Sequence, residues 1–177
     1  MIRTRVGYAG GTTPNPTYDD IGDHTETIQV DFDPEVVSYE DLLAVFWRGH
    51  NPSLRGWSTQ YRSAVFTDGE EQRSSAEQSL AREVERTRRR VETKVEELRE
   101  FFPAEDYHQK FYLRQDRELM AHFNALYPDG RDLMNSPAAA KVNGFLSGLG
   151  SREHLERVLP LLGLAEETGR RLLVRVR

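Results

Sequence analysis

Glu26 carries the most chemical potential in this sequence. Thr25, Thr27, Gln29 and Asp31 alternate with Glu26, Ile28, Val30 and Phe32, the period of a strand with one apolar face. Glu26 is therefore expected to open the inward row with Ile28, Val30 and Phe32. A carboxyl entering an apolar face is costly unless it is protonated, paired or hydrogen-bonded. The same spacing also allows a strand-end carboxylate that curls back to water. Tyr18, in the loop ahead of this strand, brings a phenol that can serve a site or merely anchor the loop to backbone. Tyr61 is a second phenol, on a segment (60–67) that also alternates. His24 and Glu26 form a closely spaced ligand pair that His50 or His108 could extend into a metal site, although such spacing on a strand is common by chance. The chain has no cysteine, which excludes disulfides, thiolate metal sites and thiol nucleophiles from it as written.

These side chains need rigid supports. Residues 1–8 read as a strand entering a turn in which Gly7, Gly10 and Gly11 permit positive φ, while Pro14 and Pro16 fix φ and remove donors. Ser38 is placed to cap a helix carrying Leu42, Leu43, Val45, Phe46 and Trp47, which ends by Gly49-His50-Asn51-Pro52. His50 there is a cation favoured by the helix dipole. Residues 60–67 read as a strand, with Tyr61, Ser63, Val65 and Thr67 on one face. Residues 68–90 read as a charged, solvated helix with a thin apolar stripe, and Val91, Thr93 and Val95 as a returning strand. Pro103 suits the first turn of a helix, with Glu105 and Asp106 at its positive end. Beyond Leu113 come helical stripes: Leu119, Met120, Phe123 and Leu126, then an alanine-rich helix from Pro137 capped by Ser136, then Leu155, Val158, Leu159 and Leu162.

A chain of 177 residues suits one domain with a tail. The net charge of -5 comes from 29 acidic and 24 basic residues mixed along the sequence, so neither a nucleic-acid stripe nor a polybasic membrane patch is expected. No apolar run approaches the roughly 18 residues of a membrane span, and no signal-peptide core follows Met1. The expectation is a cytoplasmic protein with no nucleic-acid or membrane partner.

Three segments in order, Gly7-Tyr8-Ala9-Gly10-Gly11, Pro14-Asn15-Pro16-Thr17-Tyr18 and His24-Thr25-Glu26, resemble the signature of the peptide methionine sulfoxide reductase A family. The resemblance continues through Phe46-Trp47-Arg48-Gly49-His50, Gln60-Tyr61-Arg62-Ser63 and Phe102-Pro103-Ala104-Glu105-Asp106-Tyr107-His108-Gln109-Lys110, and covers about the first two thirds of the chain. It implies an α+β fold, a mixed sheet flanked by helices in a two-layer sandwich, over residues 1–114. Residues 115–177 would form a helical C-terminal extension. It implies reduction of methionine-S-sulfoxide, free or in proteins, with no bound cofactor and with thioredoxin or a similar external thiol as reductant. Sulfoxide reduction needs donors around one oxygen, because oxygen leaves only once protonated. By resemblance Glu26 is that acid, provided an apolar pocket keeps it neutral, and Tyr18 and Tyr61 are the flanking donors. His108 is a substrate-binding neighbour or a structural tie.

The family's strand, Gly-Cys-Phe-Trp-Gly nucleophile turn and following helix come ahead of this point, and this sequence does not contain them. Ser58 replaces a family glycine, and the loop before it is short and lacks an aspartate found in many members. The expectation is an N-terminally truncated version of a working reductase, inactive if Met1 is the true start. The alternative is a non-catalytic module that binds a methionine sulfoxide or peptide through Tyr18, Glu26 and Tyr61.

Overall fold

The computed structural model describes residues 2–176. The chain divides into two compact units, residues 6–104 and residues 2–5 with 105–176. The first runs β1 (Arg3–Ala9, whose first residues belong to the second unit), β2 (Thr25–Asp31), α1 (Tyr39–Arg48), β3 (Ala64–Thr67), α2 (Glu70–Thr87), β4 (Lys94–Glu97) and β5 (Phe101–Pro103). β1 is the central strand of a three-stranded sheet ordered β2-β1-β5. β3 and β4 pair in parallel across the α2 crossover, from Ala64 opposite Lys94 to Thr67 opposite Glu97. Parallel neighbours need such a crossover, and the long charged helix supplies it. The result is the mixed α+β class that the sequence leads one to expect.

Local chemistry explains the elements. Ser38 accepts from the Asp41 amide while the Asp41 carboxylate accepts from the Ser38 amide, a reciprocal capping box that starts α1. The buried face of α1 sets Leu43 and Trp47 against Ala76 of α2. The Trp47 indole donates to Ser79 Oγ at 3.1 Å, so the one polar atom of this large core side chain is satisfied.

The second unit is helical: a 3₁₀ turn (Asp106–His108), then α3 (Phe111–Arg114), α4 (Arg117–Leu126), α5 (Gly130–Asn135), α6 (Pro137–Leu146), α7 (Arg152–Val158), a second 3₁₀ turn (Leu159–Leu161) and α8 (Glu166–Arg175). Asp116, Asp129, Ser136 and Ser151 each cap a helix with a side-chain oxygen. Leu113, Leu119, Phe123, Val142, Leu155 and Leu172 are buried in one continuous apolar cluster. Among the described residues no helix is long and apolar enough to cross a membrane.

Three expectations are corrected. Glu26, Ile28, Val30 and Phe32 do share a face, but it is not a packed one. Ile28 is 60% exposed, Glu26 is exposed, and the row lines an open cleft of about 890 Å³ with Phe46 of α1 and Val65 of β3. Thr25, on the opposite row, is buried instead. The strand expected over 60–67 is regular only from Ala64. Tyr61 lies on a turn, its amide reaching Ser58 O at 3.3 Å and that of Arg62 reaching Thr59 O at 3.4 Å. Pro103 ends a strand rather than opening a helix: it pairs with Gly7 at the sheet edge, where a residue without an N–H is tolerated.

Candidate functional site

The glycine-proline loop is pinned at two points. The Asp23 carboxylate accepts from the Thr12 and Thr13 amides at 2.8 to 2.9 Å and from both of their hydroxyls at 2.8 to 2.9 Å. Those hydrogen bonds, backbone first, hold the acid well below the usual carboxylate range. His24 is buried beneath the loop. The Gly11 amide donates to its Nδ1 at 3.2 Å, which leaves the proton on Nε2, and Nε2 donates to Thr13 O at 2.8 Å. Both nitrogens of His24 are thereby committed to the loop, which removes it as a metal ligand. Gly11 is needed for close approach, since a Cβ there would sit 2.5 Å from Asp23 Oδ1; Gly10 takes the positive φ, at 79°.

The start of β2 is stitched to the turn that carries Tyr61. The Glu26 amide donates to Gln60 O at 3.0 Å, and Thr25 Oγ1 donates to Thr59 O at 3.1 Å. Arg62 Nε donates to Thr25 Oγ1 at 2.8 Å, and its two terminal nitrogens grip the Glu96 carboxylate at 2.5 and 2.8 Å. Its guanidinium also lies 5.7 Å from the Phe66 ring centroid. One arginine thus ties β2, β3 and β4 directly behind Tyr61.

On this frame the side chains of Tyr18, Glu26, Gln60 and Tyr61 converge. Gln60 Nε2 donates to Glu26 Oε1 at 2.7 Å and to the Tyr61 hydroxyl at 3.1 Å. A hydrogen bond with Tyr18, then partial desolvation, then the negative charge of Glu26 push the Tyr61 phenol up to about 12, so it keeps its proton at any physiological pH. Tyr18 and Tyr61 remain partly exposed. Glu26 is not desolvated as expected; it lines the mouth of the open cleft, and its oxygen is held by an amide donor. The cluster is an array of phenol and carboxyl groups open to solvent, suited to hydrogen-bonding a polar oxygen.

His50 and His108 stand elsewhere. His50 closes α1, with Nδ1 2.8 Å from Phe46 O and Nε2 3.0 Å from Thr93 Oγ1. It links a helix end to the segment before β4. His108 lies in the second unit, its ring 4.2 Å from that of Tyr107. Sequence reasoning missed Gln60 as a member of the cluster and Arg62 as the tie behind it, although both flank Tyr61 in the quoted motif, and it missed Asp23 as the clamp of the loop.

A family model described as peptide methionine sulfoxide reductase matches residues 1–132. The chain belongs to the peptide methionine sulfoxide reductase family. It is 39% identical over 166 residues to a peptide methionine sulfoxide reductase of Drosophila melanogaster, covering 93% of this chain and 66% of that protein. It is 38% identical over 158 residues to peptide methionine sulfoxide reductase A5 of Arabidopsis thaliana, covering 84% of this chain and 60% of that one. The Drosophila match thus reaches past the quoted motifs into the C-terminal helices. The chain spans slightly under two thirds of the length of these relatives. Among solved structures it is similar to methionine sulfoxide reductase A of Corynebacterium diphtheriae, with 34% identity, a TM-score of 0.57 and coverage of 64% of this chain and 63% of that one. The reduced form of Mxr1 from Saccharomyces cerevisiae gives 26% identity and a TM-score of 0.59, covering 64% and 70% of the two chains.

Proposed function

We infer that this chain supplies the oxygen-recognising side of a reductase that converts methionine-S-sulfoxide to methionine. The observation that carries this reading is the Glu26–Gln60–Tyr61 cluster, with Tyr18 hydrogen-bonded to Tyr61, inside the segment that matches the family. In such a reaction a thiolate bonds to the sulfoxide sulfur and the sulfur–oxygen bond breaks. Oxygen takes up a proton and ends on the thiol as sulfenic acid, and the thioether leaves, so the sulfoxide is reduced and the thiol oxidised. A second thiol then condenses with the sulfenic acid to a disulfide and releases water, and a dithiol of the thioredoxin type reduces that disulfide. Tyr18 and Tyr61 donate to the oxygen throughout. Glu26 delivers the proton once a bound substrate shields it from water and favours its neutral form. The attacking thiol is not among these 177 residues, none of which is cysteine. A cytoplasmic setting, where thiols are kept reduced, suits this chemistry and a role in repairing oxidised proteins.

The same lack of cysteine favours a second reading, in which the chain binds methionine sulfoxide without reducing it. One titration separates the outcomes. The 177-residue chain is mixed with ¹³C-methyl methionine-S-sulfoxide, its R epimer and methionine, with and without dithiothreitol. Selective binding of the S epimer without conversion supports the recognition role and leaves the thiol to be supplied in a second experiment. Equal or absent binding of all three overturns the assignment of Tyr18, Glu26 and Tyr61.

A further inference from the structure

Trp57 sits on the loop before Tyr61, and the loop is built to present it. A Cβ on Gly56 would fall 2.6 Å from Tyr61 O and 2.7 Å from Arg62 Cα, so the loop backbone lies directly on the backbone of those two residues. The loop's other end is fixed by the Glu92 amide, which donates to Pro52 O at 2.8 Å. The Trp57 indole then stacks on the Tyr61 ring, with centroids 4.6 Å apart and planes 25° from parallel. Even so, 82% of Trp57 is exposed, whereas the chain's other tryptophan, Trp47, is 9% exposed. An indole with one face on a site phenol and the other bare is a ready stacking surface.

What would cover it follows from the neighbouring cluster. A sulfoxide oxygen held by Tyr18 and Tyr61 places the rest of its molecule beside the indole. Free methionine sulfoxide carries an ammonium and a carboxylate on its α-carbon. Both must shed water to reach an aromatic face, and the carboxylate meets the negative side of the ring quadrupole. Within a polypeptide the same positions are planar, neutral amides, which stack on an indole without that cost. We propose that Trp57 is a specificity-determining residue whose bare face receives the peptide plane next to methionine sulfoxide, favouring sulfoxides in polypeptides over the free amino acid. This rests on the oxygen-recognition reading above.

The test is an NMR titration of the 177-residue chain, following the Gln60 side-chain amide. The ligands are N-acetyl-methionine-S-sulfoxide N-methylamide, free methionine-S-sulfoxide and the corresponding blocked thioether. The blocked sulfoxide is expected to bind about three- to tenfold more tightly than the free one and to change the Trp57 fluorescence. Trp57→Ala should erase that preference while leaving the free ligand within about twofold, and Trp57→Phe should retain it. An unchanged preference in Trp57→Ala, or none in the wild type, overturns the proposal and leaves oxygen recognition standing. If neither sulfoxide perturbs Gln60 more than the thioether does, oxygen recognition itself fails and the role of Trp57 fails with it.

Discussion

The Gln60 side-chain amide donates to Glu26 Oε1 over 2.7 Å and to the Tyr61 hydroxyl over 3.1 Å, so one amide joins a strand-borne carboxyl to a turn-borne phenol. The amide and the Tyr61 phenol both bond to the Glu26 carboxyl, and the amide is the contact that also holds the phenol. Gln60→Ala should therefore weaken methionine-S-sulfoxide binding by about two- to tenfold, the worth of one modest hydrogen bond. The cluster is exposed, so folding stability should stay within about 0.5 kcal/mol of wild type. Calorimetric titration paired with urea unfolding reads both. A large stability loss with unchanged affinity would make Gln60 a structural residue only.

Arg62 should behave in the opposite way. It bridges Thr25 on β2 and Glu96 on β4 with three charge-assisted bonds, and it touches the cluster only through the backbone next to Tyr61. Arg62→Ala is expected to destabilise the first unit by about 1–3 kcal/mol. Arg62→Lys should recover little, because an ammonium cannot reproduce the two-pronged grip on the carboxylate. Denaturant midpoints for the two variants check this, and recovery by lysine to wild-type stability would show that charge alone matters.

These residues also mark how far the sequence could be read. The capping box at Ser38, the strand beginning beside His24 and the convergence of Tyr18 and Tyr61 were legible because each depends on local spacing or on the quoted motifs. The burial of β2 was not. Alternation says which residues share a face but not whether another element covers it, and here Ile28 faces an open cleft. Tyr61 looked strand-borne because its neighbours alternate, yet the backbone turns at Ser58 and becomes regular only at Ala64. Pro103 satisfies the rule for a helix start and the rule for a sheet edge equally well, and only its pairing with Gly7 decides between them. Gln60 and Asp23 act through donors and acceptors brought together by tertiary structure, for which no periodicity exists.

The Tyr61 phenol gives a pH signature. Its proton is held more tightly in the folded chain, with the value raised from 10.0 to about 12, first by Tyr18 and then by partial burial and Glu26. A raised folded value means that this contribution to stability is complete below pH 10.0 and is lost as pH climbs to about 12. Ultraviolet titration should show two late tyrosinates in the native protein, that of Tyr39, raised by its burial, and that of Tyr61. Tyr18→Phe should bring that of Tyr61 back toward 10.0, and Tyr61→Phe should delete it. A late tyrosinate that survives with both Tyr39 and Tyr61 replaced by phenylalanine would assign the shift to another phenol.

Lys110 carries the reverse dependence, in the second unit. It is 4% exposed and adopts a left-handed backbone with φ of 55° at the start of α3. Its Nζ donates to Thr4 O at 2.6 Å and to Met134 O at 2.8 Å. Burial, then the charges of Arg5 and Arg114, lower its value from 10.5 to about 8. The unfolded chain therefore binds this proton more tightly, and the stability of the unit should rise as pH increases from about 8 to 10.5. That slope overlaps the Tyr61 effect only between pH 10.0 and 10.5, so the two can be measured separately below and above that interval. In Lys110→Met the slope should vanish, and the carbonyls of Thr4 and Met134 would be left without their donor, at a cost of about 1–3 kcal/mol. Urea unfolding of both proteins across this window decides the matter. A wild-type curve that stays flat there would mean that the ammonium is hydrated rather than buried.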